Sequence, residues 1–106
     1  MRIMVLTGRL TDDPELREFP DKEDEEKKLQ RLTLSLANND NGKDRPPEFF
    51  DVVCWGNLAV WGGNYLKKGT RVLVSGTPHN ESYESKVDNK KKTRFKLTAE
   101  RFDLIG

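Results

Sequence analysis

Apolar and polar residues alternate most regularly from Gln30 to Ala37, where Leu32, Leu34 and Leu36 share one face and Arg31, Thr33 and Ser35 the other. This is the pattern of a half-buried strand, because successive side chains leave a pleated backbone on opposite sides. Glu48–Trp55 repeats it, setting Phe50, Val52 and Cys54 on the expected core side and Phe49, Asp51, Val53 and Trp55 opposite. Ile3–Leu10 reads as an earlier strand, ended by the turn-forming string Thr11-Asp12-Asp13-Pro14. Asn57–Leu66 is the one helix candidate, with Asn57 as its N-cap and Leu58, Trp61, Tyr65 and Leu66 at helical spacing. Gly62 and Gly63 weaken that helix by ~1 kcal/mol each, and Lys67-Lys68-Gly69 closes it with positive charge and a Gly cap. Thr70–Ser75 is a short strand stopped by Gly76, and Thr77–Asn80 reads as irregular. Ser82–Val87 and Lys91–Thr98 flank Asp88-Asn89-Lys90 as a hairpin, and a last strand runs towards Leu104-Ile105. Between the strands, Asp21–Lys28 is too charged to pack and is expected as a mobile hairpin loop. Asn38–Pro47 is a second loop by its Asn, Asp, Gly and Pro content.

Three strands, one short helix after the third, then two or three more strands is the order of an all-β OB-fold, a five- to six-stranded Greek-key barrel. Another small barrel or an α+β sandwich would accommodate the same elements. With 106 residues, about a third of them apolar, the chain is expected to form one domain over residues 1–106 with a thin core and no deep cofactor cavity. No apolar run exceeds four residues, far short of the ~18 of a membrane span. The N-terminus lacks a signal-peptide pattern, so a soluble, intracellular protein without a membrane partner is expected.

The formal net charge of +1 hides a segregation. Residues 12–26 hold nine acidic and two basic residues, which leaves 17 basic against 9 acidic over the other 91, a net charge of +8. Lys86, Lys90, Lys91, Lys92, Arg94 and Lys96 form the densest basic cluster. A phosphate-binding surface with its acid confined to one loop has this distribution, and so does a solvated loop opposite a solvated hairpin.

An OB barrel takes oligonucleotides or oligosaccharides across its second and third strands, and single strands need flat rings and positive charge there. Phe49 and Trp55 fall on the side of their strand away from the core and could stack bases; packing at a subunit interface or under the acidic loop is the alternative. Tyr83 is a third candidate, beside Lys86 and Lys90, unless it pairs across the hairpin with Phe95. Arg31, Lys43, Arg45 and Arg94 extend the basic track towards phosphates. One cysteine, Cys54, and one histidine, His79, rule out a disulfide within the chain and most zinc sites, so neither metal nor cofactor is expected. No nucleophile has a sensible base, and the spacing of a phosphate-cradling Gly-rich loop is absent, so the chain is not expected to be an enzyme.

GRLTDDPELR (Gly8–Arg17), EFFDVVCWGNLA (Glu48–Ala59) and, most specifically, YLKKGTRVLVSG (Tyr65–Gly76) resemble the bacterial-type single-stranded DNA-binding proteins, over nearly the whole chain. That resemblance implies an OB-fold that wraps single-stranded DNA without sequence preference and assembles as a homotetramer or, less often, a dimer. It implies protection of exposed strands in replication, recombination and repair, in a cytoplasmic, nucleoid-associated setting, with bases stacked at Phe49, Trp55 and Tyr83. The family's Gly-, Pro- and Gln-rich extension and acidic tip, which recruit repair proteins, are not in a sequence that stops at Gly106; either the chain is trimmed or this member lacks that role. Asn39-Asp40 carries no aromatic where relatives stack a further base, and His79-Asn80-Glu81 is poor in positive charge. With the acidic run at 21–26, these departures imply weaker, strongly salt-dependent binding. A tailless primosomal accessory OB protein, or an OB interaction module that binds no nucleic acid, remain the competing readings.

Overall fold

The computed structural model describes every residue except Glu25, Ser85, Asp88 and Asn89, and describes the backbone only of Tyr83, Lys91, Lys92 and Thr93. Six strands and one helix follow in the order β1 (Met4–Leu10), β2 (Glu15–Pro20), β3 (Lys28–Asn38), β4 (Glu48–Trp55), α1 (Asn57–Tyr65), β5 (Arg71–Glu84) and β6 (Lys91–Leu104). The strands form one sheet in the order β1-β5-β6-β4-β3-β2, which curls until the end of β1 pairs with β3 through Arg9–Ala37 and Leu10–Leu36. Closure makes a five-stranded barrel, and β2 hangs outside it on the first half of β3. This is the expected OB architecture, with the helix after the fourth strand rather than the third.

Parity works as the alternation implies. Leu32, Leu36, Val52 and Cys54 are fully buried with Val72, Val74 and Leu97 from β5 and β6, and Phe50 and Phe95 meet edge-on at 5.9 Å beside this core. Val53 is the exception, buried although it points outward, because it lies mid-sheet between Thr33 and Thr98 on the neighbouring strands. The helix is laid across the barrel's end. Its Gly62 sits on Leu32, so close that a Cβ would collide with that side chain, and its Gly63 faces Leu16 of β2.

One strand has no counterpart in the sequence pattern, and three local expectations give way. The string Glu15–Pro20 has no apolar period, yet forms β2, because hydrogen bonding to β3 and the contact of Leu16 with Gly63 hold it rather than burial of a face. The N-cap of α1 is Gly56, not Asn57; its φ of 69° suits glycine, and its N–H donates to the Gln30 carbonyl. Gly76 does not end a strand and Thr77–Asn80 is not irregular. β5 runs through both, and opposite the Ser75–Gly76 step β6 carries an extra residue, Glu100, between Ala99 and Arg101. Likewise Lys91–Leu104 is one strand, not two. The turn expected at Asp88-Asn89-Lys90 falls largely outside the described residues.

Gly76 is required by proximity: a Cβ there would overlap the Thr98 carbonyl oxygen, and the Ala99 Cα is 2.9 Å away. Gly76→Ala should therefore destabilise by ~1–3 kcal/mol. Urea unfolding reads this as a lower midpoint at unchanged slope; an unchanged midpoint would mean that β5 and β6 separate freely at the bulge.

Candidate nucleic-acid interface

The outward row of β4 holds Phe49, Asp51, Val53 and Trp55, with Phe49 64% and Trp55 47% exposed. Six residues of strand put their Cα atoms about 20 Å apart. Beside them β3 presents Ala37, Ser35, Thr33 and Arg31 in register with Phe49, Asp51, Val53 and Trp55. On the other side β6 and β5 bring Lys96, Thr98 and His79. With Arg31, Thr33, Val53 and Trp55 these line an open groove of about 450 Å³ at the Trp55 end of the face. The two aromatics expected to be uncovered are thus uncovered, at either end of one face.

The cations on that face are not equivalent. Arg94 donates from Nε to Asp51 at 3.0 Å, and Lys96 pairs with Glu81 at 3.2 Å, so each already has a carboxylate partner. Arg31 has none. Its guanidinium carbon lies 4.7 Å from the centre of the Phe19 ring and 5.9 Å from that of Trp55. Lys43 and Arg45 are exposed in the β3–β4 loop, where Gly42 (φ 106°) turns the chain next to the Phe49 end of the face. Lys86 and Lys90 are exposed beyond the barrel, at the far end of the arm formed by β5 and β6. The side chain of Tyr83 lies outside the described residues. Its backbone pairs with Lys92 while Phe95 pairs with Asn80 and turns its ring to Phe50, so Tyr83 and Phe95 are not cross-strand partners.

The described residues of the acidic run lie at the tip of the β2–β3 hairpin, in Asx turns in which Glu23 and Glu26 donate backbone N–H groups to Asp21 and Asp24. Asp21 and Glu23 line a cleft with Phe19, Leu29, Arg31 and Trp55, which places carboxylates beside the Trp55 end of the face. Phe19 escapes a sequence reading because β2 has no alternation; its only signal is a lone ring among charges. Burial pushes the Cys54 thiol up to about 12, so it stays protonated and unreactive at neutral pH. Among the described residues no cluster of His, Cys, Asp and Glu could hold a metal ion.

A closed barrel with two bare rings and a cationic margin on one sheet face defines a nucleic-acid-binding OB-fold protein. Residues 1–105 match the model of the single-strand binding protein family, and the chain belongs to that family. It is 29% identical over 101 residues to single-stranded DNA-binding protein 1 of Synechocystis sp., covering 95% of this chain and 80% of that one. It is 31% identical over 108 residues to the single-stranded DNA-binding protein of Borreliella burgdorferi, covering 97% and 68%. The crystal structure of the wild-type single-stranded DNA binding protein from Thermus aquaticus superposes with a TM-score of 0.74 at 26% identity. All of this chain is matched there, but it spans only 41% of the Thermus protein's length.

The Asp51–Arg94 pair makes a prediction about the face it occupies. Asp51→Asn releases Arg94 to phosphate and should tighten oligo-dT binding several-fold at low salt while steepening its salt dependence by ~0.7 in the log–log slope. Affinity and slope like those of the unaltered protein would remove Arg94 from the interface.

Proposed function

We propose that residues 1–106 form one OB-fold domain that binds single-stranded DNA without sequence preference and protects it during replication, recombination and repair. Bases stack on Phe49 and Trp55, with Tyr83 on the arm as a third ring. Phosphates meet Arg31, Lys43, Arg45, Lys86, Lys90 and, once it leaves Asp51, Arg94. The observation that carries this reading is that Phe49 and Trp55 stay exposed on the outward row of β4 while the inward row is buried. Stacking of this kind is worth ~1–3 kcal/mol per base and is indifferent to sequence, because every base has a π-face.

Family membership supports the same reading and a protein that is not an enzyme. A homo-oligomer, a tetramer or alternatively a dimer, is supported by β1. It pairs with β3 only at its last two residues, and Ile3 and Val5 are exposed apolar side chains near its start. A cytoplasmic, nucleoid-associated setting accords with the family; no helix among the described residues is long and apolar enough to cross a membrane.

Trp61 packs against Phe102 at 6.1 Å, so it provides an internal reference for Trp55. Titration with oligo-dT should quench tryptophan emission, less so as salt rises, while duplex DNA leaves it unchanged. Trp55→Ala should remove most of the quenching and weaken binding ~5- to 100-fold without lowering the unfolding midpoint. No quenching and no binding at low salt would overturn the proposal in favour of an interaction module. Light scattering on the same samples should give a mass of two or four chains; a monomer would remove the oligomer from it.

A further inference from the structure

Trp55 has a second neighbourhood besides the groove. On the side of β2 lies an apolar cleft formed by Phe19, Pro20, Leu29 and Trp55, and Arg31 reaches into it. β3 runs between β2 and β4, so the guanidinium of Arg31 lies against the Phe19 ring on one side and the Trp55 ring on the other, at 4.7 and 5.9 Å. Its Nε is buried and has no hydrogen-bond partner among the described residues. An N–H buried without an acceptor is destabilising, and the rings recover only part of that loss through cation–π attraction. A flat, delocalised group flanked by two aromatic rings, at a cost to the free protein, has the shape and setting of a stacked nucleobase.

We infer that Phe19 and Trp55 form a slot for one unpaired base, which Arg31 fills until a strand arrives. Entry of the base moves the guanidinium out from between the rings, and its N–H groups, Nε included, then pair with the strand's backbone phosphate. The unsatisfied donor of the free protein becomes a charge-assisted hydrogen bond in the complex. This rests on the single-stranded DNA reading above and adds to it a contact on β2, outside the three rings of that site. Asp21 and Glu23 line the same cleft with Lys22 between them, so the rim beyond the slot is net negative and the strand's path across β4 and β3 ends at Phe19. Phe19 is thus a binding residue, and Arg31 serves two opposed purposes: phosphate anchor and competitor for the ring.

The test is oligo-dT titration of the whole chain and three variants from low salt to roughly 1 M, where screening shortens electrostatic reach to ~3 Å. Phe19→Ala should bind about tenfold more weakly at every salt with an unchanged log–log slope, because stacking releases no counterions, and Phe19→Trp should restore affinity. Arg31→Ala should bind more weakly at low salt, with a slope flatter by ~0.7, yet more tightly than the unaltered protein at high salt, where the lost phosphate contact matters least and the slot is empty. That crossing distinguishes a placeholder from an ordinary surface cation, whose removal brings the curves together without crossing. Should Phe19→Ala fail to fold by circular dichroism, Phe19→Leu keeps the apolar contact without the ring and is read in its place. Normal affinity of the Phe19 variant, or Arg31 curves that never cross, overturns the slot while the unaltered protein still binds. Failure of the unaltered protein to bind overturns the functional reading and the slot with it.

Discussion

The register between β3 and β4 is the constraint on which the rest depends. Opposing Leu32 to Cys54, Leu34 to Val52 and Leu36 to Phe50 sends one row from each strand inward, and the same pairing sets Arg31 against Trp55 and Ala37 against Phe49 outside. Because side chains alternate with a period of two, a slip of one residue would turn the leucines of β3 outward against the aromatics of β4. Core and interface are therefore two sides of one pairing. The burial that stabilises the barrel also forces the rings into solvent, where a monomeric protein ordinarily keeps such surface scarce.

What could be read from the residues follows from how each element is held. β3 and β4 bury one row of their own side chains, and their boundaries and faces were visible as alternation. β2 is held by backbone pairing to β3 and by Leu16 against the helix, and backbone pairing leaves no mark on composition. Gly76 reads as punctuation in one dimension, whereas in three it relieves the approach of β6 at a bulge. The site divides in the same way. Phe49 and Trp55 were legible through parity. Phe19 was not, because its importance comes from a neighbour twelve residues on, Arg31, brought beside it by the hairpin. The pairing of Arg94 with Asp51 spans 43 residues and no local pattern encodes it.

Charge on the binding face is rationed by such pairs. Asp51 and Glu81 each hold a cation of the face, and the acidic tip stands beside Trp55, so the net +8 outside residues 12–26 overstates the potential a phosphate meets. Exposed ion pairs of this kind add little to stability, about 0–1 kcal/mol. Their effect is on the ligand: they lower non-specific attraction and leave more of the affinity to the rings, which salt does not screen.

The barrel closes where β1 meets β3, through Arg9–Ala37 and Leu10–Leu36. Around these two rungs the Asn38 side-chain amide donates to the Thr7 carbonyl at 2.8 Å, the Thr11 N–H donates to the Ser35 carbonyl at 3.0 Å, and Gly8 lets the strands approach where a Cβ would press on the Ala37 carbonyl. Mechanically this is a clasp on a rolled sheet. The β6–β4 junction is equally short, Val52–Leu97 and Val53–Thr98, but its Val52 and Leu97 are fully buried whereas Arg9 of the clasp is exposed, so the clasp is the more open of the two short seams. Undoing it would flatten the curl without altering the β3–β4 ladder, and the rings would keep their spacing on a sheet of lower curvature. The clasp sets how tightly that face is bowed, and hence how sharply a chain laid across it must bend.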